Sequence, residues 1–340
     1  ILFVLLVLPE KRGAISSFYR VEISDLSKMS FTTRGKHVTR VIAAVYLSLI
    51  VALTILLQVF GMSFFDAVCH SFTTVATSGF STKNLSIAFY DNIGIELVIL
   101  FFMLISSMHF GLIYATATRS KRNIFTSRVI RMYVLVMFAG VLAVTFQLTR
   151  ENMYDFWVAL RHAAFQVVSL ASTTGYATVD TAGWPLFSIT LLLYFSIQCG
   201  MVGSTAGGIK FDRVYLFFVS LRNQLRLILH PNGVYAVKMN GKTVEHAIEL
   251  QIMVFIILYL LTLLITALLL TMMGIDGTTS FSASIATLGN VGPGFGTVSS
   301  LGNYAHLPDA TKYILSANML LGRLEIMNVL ALLMILVGKK

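Results

Sequence analysis

Six apolar runs, at 41–60, 93–117, 132–148, 186–201, 252–273 and 313–337, set the terms on which this chain can fold. A helix needs about 20 apolar residues to cross a bilayer, whereas a barrel strand needs only ~10. These runs are helical in length. Across the 340 residues, 56% are hydrophobic and 12% charged, with a mean hydropathy of +0.81. A soluble domain carries about 25% charged residues. The expectation is an all-α integral membrane protein.

What separates the runs is as informative as the runs. Residues 73–82 are polar, hydroxyl-rich and broken by a glycine, yet they lie between two apolar stretches. Non-helical polar backbone at bilayer depth is tolerated only where it lines a watery cavity or packs inside protein. Thr77-Ser78-Gly79-Phe80 recurs as Thr173-Thr174-Gly175-Tyr176, and in degenerate form as Asn290-Val291-Gly292-Pro293. One tetrapeptide of this kind is weak, but three at equivalent places define a repeat. Each follows a short amphipathic run, at 64–72, 154–171 and 278–288, too short to cross. Ser63 and Asn152 are candidate N-caps for the first two. The unit is therefore span, half-helix, glycine turn, span. Thr-x-Gly-Phe resembles the potassium-filter signature, in which carbonyl oxygens replace the water around a cation. A half-helix ending there would point its partial negative charge at the ion.

The net charge of +10 could suggest nucleic acid, but its distribution argues against it. Segments 9–40, 119–131, 210–242 and 339–340 hold 20 of the 25 Lys and Arg. By the positive-inside rule these face the cytoplasm. The opposite side carries Asp66, Asp91, Glu96, Asp155, Asp180, Asp276 and Asp309. Those acids would either concentrate cations at an outer mouth or merely follow topology. Trp184 fits an interfacial anchor. Cys69 and Cys199 have no partner at metal or redox spacing and suit small buried positions. His70, His109 and His162 show no metal spacing, and no nucleophile–base arrangement points to an enzyme.

The run at 186–201 gives way to Gly203-Ser204-Thr205-Ala206-Gly207-Gly208-Ile209-Lys210, before an amphipathic stretch from 211 to 229. Glycines this dense make a continuous helix costly. A phosphate loop is excluded, because Lys210 follows no glycine and precedes no Ser or Thr. Two readings stay open: a helix-packing motif, or a flexible intramembrane gate beneath the filter. Arg323, inside the last apolar run, either faces a pore or is neutralised locally. Arg323 and Glu325 are two apart and share no helix face, which weakens self-pairing. Segment 231–242, with Pro231-Asn232-Gly233, is expected to be a hairpin-like turn.

Taken together, 64–72, 76–82, 203–210 and Gly322-Arg323-Leu324-Glu325 resemble the Trk/Ktr/HKT superfamily of potassium transporters, specifically its bacterial Trk-type membrane subunit. The resemblance implies helix–pore-loop–helix units around a pseudo-fourfold pore, with three complete units present here. They would be unit two at 41–118, unit three at 119–242 with a broken second helix, and unit four at 243–340. Residues 1–40 would be the end of a unit-one helix plus a cytoplasmic connection, making the chain N-terminally truncated. The implied potassium filter is Thr77, Ser78, Gly79; Thr173, Thr174, Gly175; and Asn290, Val291, Gly292. The implied gate is Gly203, Ser204, Thr205, Gly207, Gly208, Lys210 and Arg323. Also implied are a homodimer in the bacterial inner membrane and a cytosolic nucleotide-binding regulatory subunit (TrkA-like). The transported ion would be potassium, with no organic cofactor. Symport coupling is left open. The competing readings are an ion-coupled secondary transporter of another small cation or solute, and a membrane scaffold. The first predicts inverted repeats, whereas these units all enter from the inside. The second has no need of three polar loops.

Overall fold

The structure, a computed structural model, describes residues 35–118 and 123–337. The expected helix tail and connection at 1–34, the basic residues Arg119, Lys121 and Arg122, and the terminal Lys339-Lys340 lie outside the described residues.

The described residues are mostly helical, and the order of elements repeats three times. Unit two comprises α1 (Gly35–Val59), α2 (Phe64–Val75), α3 (Ile93–Ser106) and α4 (Phe110–Ala117). Unit three comprises α5 (Arg128–Arg150), α6 (Phe156–Ala171), α7 (Leu186–Gln198) and α8 (Phe211–Leu229). Unit four comprises α9 (His246–Met272), α10 (Gly277–Leu288), α11 (Asp309–Arg323) and α12 (Ile326–Val337). Among the described residues, α1, α5 and α9 are long and apolar enough to cross a membrane. Much of their apolar surface faces outward: Leu47, Val51, Ile55 and Val59 form an exposed stripe on α1, opposite the buried Ile50, Leu53 and Leu57. A helix apolar on both faces suits lipid outside and protein inside.

Local chemistry sets several boundaries. Gly61, at φ +94°, ends α1 with Met62 N–H donating to Leu57 O (3.0 Å). Ser63 caps α2, its hydroxyl accepting from Asp66 N–H (3.2 Å). Asp276 caps α10 in the same way through Thr279 N–H (2.8 Å). Asn152 is not the cap of α6. That place is Asp155, while Asn152 sits left-handed at the turn closing α5, with its N–H on Thr149 O.

The return helices depart most from expectation. The run 93–117 is not one helix: it bends by 103° between α3 and α4. His109 starts α4 by accepting Gly111 N–H on Nδ1 (3.0 Å), which makes the bend a capped restart rather than a gradual curve. The run 313–337 also breaks, between α11 and α12, where Glu325 has φ +61°. Only the break between α7 and α8 is marked by glycines. Trp184 is buried in the main core, so it is not an interfacial anchor. Cys199 is buried but Cys69 only half-buried, and both are free thiols.

On the side carrying the basic segments, Gly233 N–H closes a turn on His230 O (2.9 Å), but the hairpin itself lies further on. Strands β1 (Lys238–Met239) and β2 (Lys242–Thr243) pair antiparallel across Asn240-Gly241, both at positive φ. This is the backbone a two-residue hairpin favours. Asn240 Oδ1 then accepts Arg128 N–H (3.0 Å), fixing the start of α5.

Candidate functional site: three loops above a broken helix

The half-helices α2, α6 and α10 end alike. Thr77, Thr173 and Asn290 stand at the first position past the cap, with φ of +51°, +60° and +53°. Their N–H groups donate to Thr74, Leu170 and Thr287 O. The next residues, Ser78, Thr174 and Val291, donate to Thr73, Ser169 and Ala286 O at 2.9, 3.0 and 2.8 Å. These paired bonds form the Schellman arrangement, which normally places glycine at the left-handed position. A threonine there costs of order 1–3 kcal/mol and is held by its surroundings. Gly79, Gly175 and Gly292 follow, again left-handed, at +65°, +76° and +99°.

The loops meet edge to edge. A Cβ on Gly79 would overlap the Thr174 carbonyl oxygen, and one on Gly175 would overlap that of Val291. A Cβ on Gly292 would meet nothing. Glycine at the first two is therefore a requirement of space as well as of φ. Each loop is also tied to its own half-helix. His70 Nε2 meets Ser81 Oγ (3.0 Å), Ser169 Oγ donates to Tyr176 O (2.7 Å), and Ser282 Oγ donates to Phe295 O (3.0 Å). The third loop differs in one respect: Tyr304 donates its hydroxyl to Gly292 O (2.8 Å).

The glycine-rich stretch 199–210 lies against the inner ends of all three half-helices. Thr205 Oγ1 donates to Val75 O (2.9 Å), the last carbonyl of α2. Gly207 N–H donates to Thr173 Oγ1 (3.1 Å), and a Cβ on Gly207 would overlap Gly289 O. Gly203 packs against the His109 ring, while Gly208 packs against Cys199. Ser204 Oγ donates to Met201 O (2.6 Å) within the loop. Met201 N–H donates to Ser107 O (2.8 Å) and Phe110 N–H to Gly203 O (3.0 Å), so the α3–α4 bend is occupied by the loop. Val202 N–H donates to Asp212 Oδ2 (2.7 Å), and Lys210, at φ +75°, starts α8.

Arg323 reaches the same loop from α11, donating from Nη1 to Thr205 O (3.0 Å), and its side chain is otherwise exposed. It does not pair with Glu325. That carboxylate takes Arg213 Nη2 (2.7 Å), whose guanidinium also stacks over Phe255 (4.1 Å). Gly322 lets α11 approach, since a Cβ there would overlap Leu288 O. Sequence reasoning missed the Arg213–Glu325 pair, although two charges in apolar surroundings are a signal to look for partners.

On the outer side most of the acids already have partners. Lys83 bridges Asp66 (3.3 Å), Arg161 forks onto Glu96 (2.7 Å) and reaches Asp91 (3.7 Å), and Lys312 meets Asp309 (3.0 Å). Asp66, in the outer turn of a helix too short to span, is held down to about 2 by the Thr82 hydroxyl first, with Ser63 and then Lys83 adding to it. The Thr279 N–H at the cap likewise holds Asp276 below the usual carboxylate range. Three cations thus serve four of the seven acids, and no ion pair among the described residues reaches Asp155, Asp180 or Asp276, so the rim keeps a net negative charge.

The family model described as TrkH, cation transport protein, matches residues 17–339. This chain belongs to that family. It is similar to the Trk system potassium uptake protein TrkH of Salmonella typhimurium, with 36% identity over 317 residues, covering 92% of this chain and 65% of that protein. It is also similar to TrkG of Escherichia coli, at 33% identity, covering 88% of this chain and 62% of that protein. The chain thus spans a little under two thirds of these relatives. The crystal structure of the potassium transporter TrkH from Vibrio parahaemolyticus superimposes with a TM-score of 0.85 at 31% identity, covering 98% of this chain and 69% of that one. The family match and the superposition place this chain among multi-pass membrane proteins built from repeated helix–loop–helix units.

Proposed function

We propose that the complete protein takes up potassium across a bacterial inner membrane, with loops 77–79, 173–175 and 290–292 as its selectivity filter. One observation carries this reading: three loops of the same backbone, packed glycine against carbonyl, stand over the ends of three half-helices. Helix C-termini carry partial negative charge, which favours a cation there. Closely packed carbonyls can replace a hydration shell. The relatives named above are potassium uptake proteins, which supports potassium as the ion.

The gate in this reading is 203–210 with Arg323. The loop occupies the space beneath the filter, and Arg323 adds a positive charge beside it, so both oppose cation passage. Homodimerisation and a cytosolic nucleotide-binding regulator complete the proposal, the basic α8 supplying a charged inner surface through Arg222 and Arg226.

Rubidium uptake by cells lacking other potassium-uptake systems tests it. Gly79→Ser is expected to lower potassium-over-sodium discrimination about tenfold or more, equivalent to ~1.4 kcal/mol of differential binding. Unchanged discrimination would remove Gly79 from the filter. Arg323→Ala is expected to raise basal flux, and flux that stays low and regulated would defeat its role in the gate.

A further inference from the structure

Tyr176 lies just past the second loop, and its side chain leaves its own unit. It is fully buried. Its hydroxyl sits 2.5 Å from Thr73 Oγ1, 3.5 Å from Thr74 Oγ1 and 3.4 Å from both His70 O and Phe80 O. The ring packs at 5.9 Å from that of His70, which in turn holds Ser81. Every one of these partners belongs to unit two. The Tyr176 carbonyl, by contrast, is tied to Ser169 of its own half-helix (2.7 Å).

The partners are not arbitrary. Thr73 O accepts the N–H of Ser78 (2.9 Å) and Gly79 (3.4 Å), so it holds the first loop's turn. Phe80 O follows Gly79 directly. Thr174 O, two residues before Tyr176, abuts Gly79 on the same interface. The phenol therefore fixes the spacing between two loops whose oxygens face a shared space. The next interface, between the second and third loops, is joined differently: Pro293 stands at the position of Tyr176, and the tie comes from further on, where the Ser300 hydroxyl donates to Val179 O (2.9 Å) and accepts Thr181 N–H (3.0 Å).

We propose that Tyr176 is a positioning residue for ion selectivity, its hydroxyl setting the separation of the first and second loops through Thr73 and Phe80. The proposal rests on the filter reading above. A phenol in fixed contact with a helix end and a loop carbonyl resists the small displacements that would let the loops close on a smaller ion. Removing only the oxygen keeps the ring packed and loosens the tie.

The experiment compares Tyr176→Phe, Thr73→Val and their double variant with Gly79→Ser, measuring rubidium and sodium uptake by the complete protein in uptake-deficient cells. Protein abundance in the membrane is measured in parallel. The expected result is a potassium-like-over-sodium ratio lowered about threefold to tenfold in each single variant, as the loss of one net hydrogen bond gives. The double variant should be no worse than the worse single, because the two hydroxyls act as one contact. A merely structural role would lower abundance and leave the ratio unchanged, which overturns the proposal. If Gly79→Ser collapses the ratio while Tyr176→Phe and Thr73→Val do not, the filter stands and Tyr176 is dismissed. If no variant alters the ratio, the filter reading falls and takes this proposal with it. Should Tyr176→Phe fail to accumulate, Thr73→Val alone decides.

Discussion

The outer and inner halves of the molecule break their helices in opposite ways. In the outer half, Thr77, Thr173 and Asn290 adopt one left-handed conformation, followed each time by a left-handed glycine and the same pair of backbone bonds. In the inner half the second helices break by three different devices. Between α3 and α4 there is a bend capped by His109, between α7 and α8 an extended glycine-rich stretch, and between α11 and α12 a short jog at Glu325. The outer turns close mainly on their own helix ends through these backbone bonds, with Thr205 reaching only the last carbonyl of α2 from the inner loop. The inner breaks are mutual. Ser107 O is taken by Met201, Thr205 O by Arg323, and Glu325 by Arg213. Repeats can stay alike where local chemistry suffices, and they diverge where each must fit one common insert.

The largest expected effect sharpens the outer side of this contrast. Gly175→Ala would drive a Cβ into the Val291 carbonyl, whereas Gly292→Ala faces open space and carries only backbone strain. Strain at positive φ is worth about 1–2 kcal/mol. Rubidium uptake should therefore fall about tenfold or more for Gly175→Ala, and several-fold less for Gly292→Ala. Equal losses would mean that conformation, not inter-loop packing, dictates these glycines. On the inner side, Glu325→Ala strands the buried Arg213 guanidinium. Leaving one partner of such a pair costs about 3–5 kcal/mol. The purified protein should melt well below the parent, while Arg323→Ala, at an exposed side chain, should barely shift the midpoint. Similar midpoints for the two would deny that the Arg213 pair braces the inner breaks.

The smallest effect concerns the outer rim and pH. Asp66 is held at about 2, below its ordinary 3.8. Its contribution is complete above the unfolded value and fades as pH falls through the folded one. Thermal stability should thus decline as pH drops from about 4 to about 2, and Asp66→Asn should flatten that part of the profile. A slope unchanged by the substitution would assign the acid sensitivity elsewhere.

Legibility in the sequence follows the same division. Ser63, Gly61 and the three glycine turns could be read because each acts within a few residues of itself. The bends at Ser107–His109 and at Glu325 could not, because no glycine or proline marks them. They exist because the 199–210 stretch offers partners to the freed backbone at the first, and Arg213 of α8 offers one to the carboxylate at the second. The paired state of the outer acids was hidden for a similar reason: Glu96 and Arg161 are brought together by α3 and α6 packing, not by spacing. Asn240-Gly241 was legible, as the strongest short hairpin signal in its segment, yet the neighbouring Pro-Asn-Gly drew the expectation instead.

The bond from Gly207 N–H to Thr173 Oγ1 joins the two halves directly. On the proposed reading, an ion resting among the upper oxygens and the position of the lower strand then belong to one equilibrium. By reciprocity, whatever factor the strand's withdrawal applies to the affinity for the ion, the ion's arrival applies to the ease of withdrawal. Cargo and latch would thus answer to a single coupling energy, felt equally from either end.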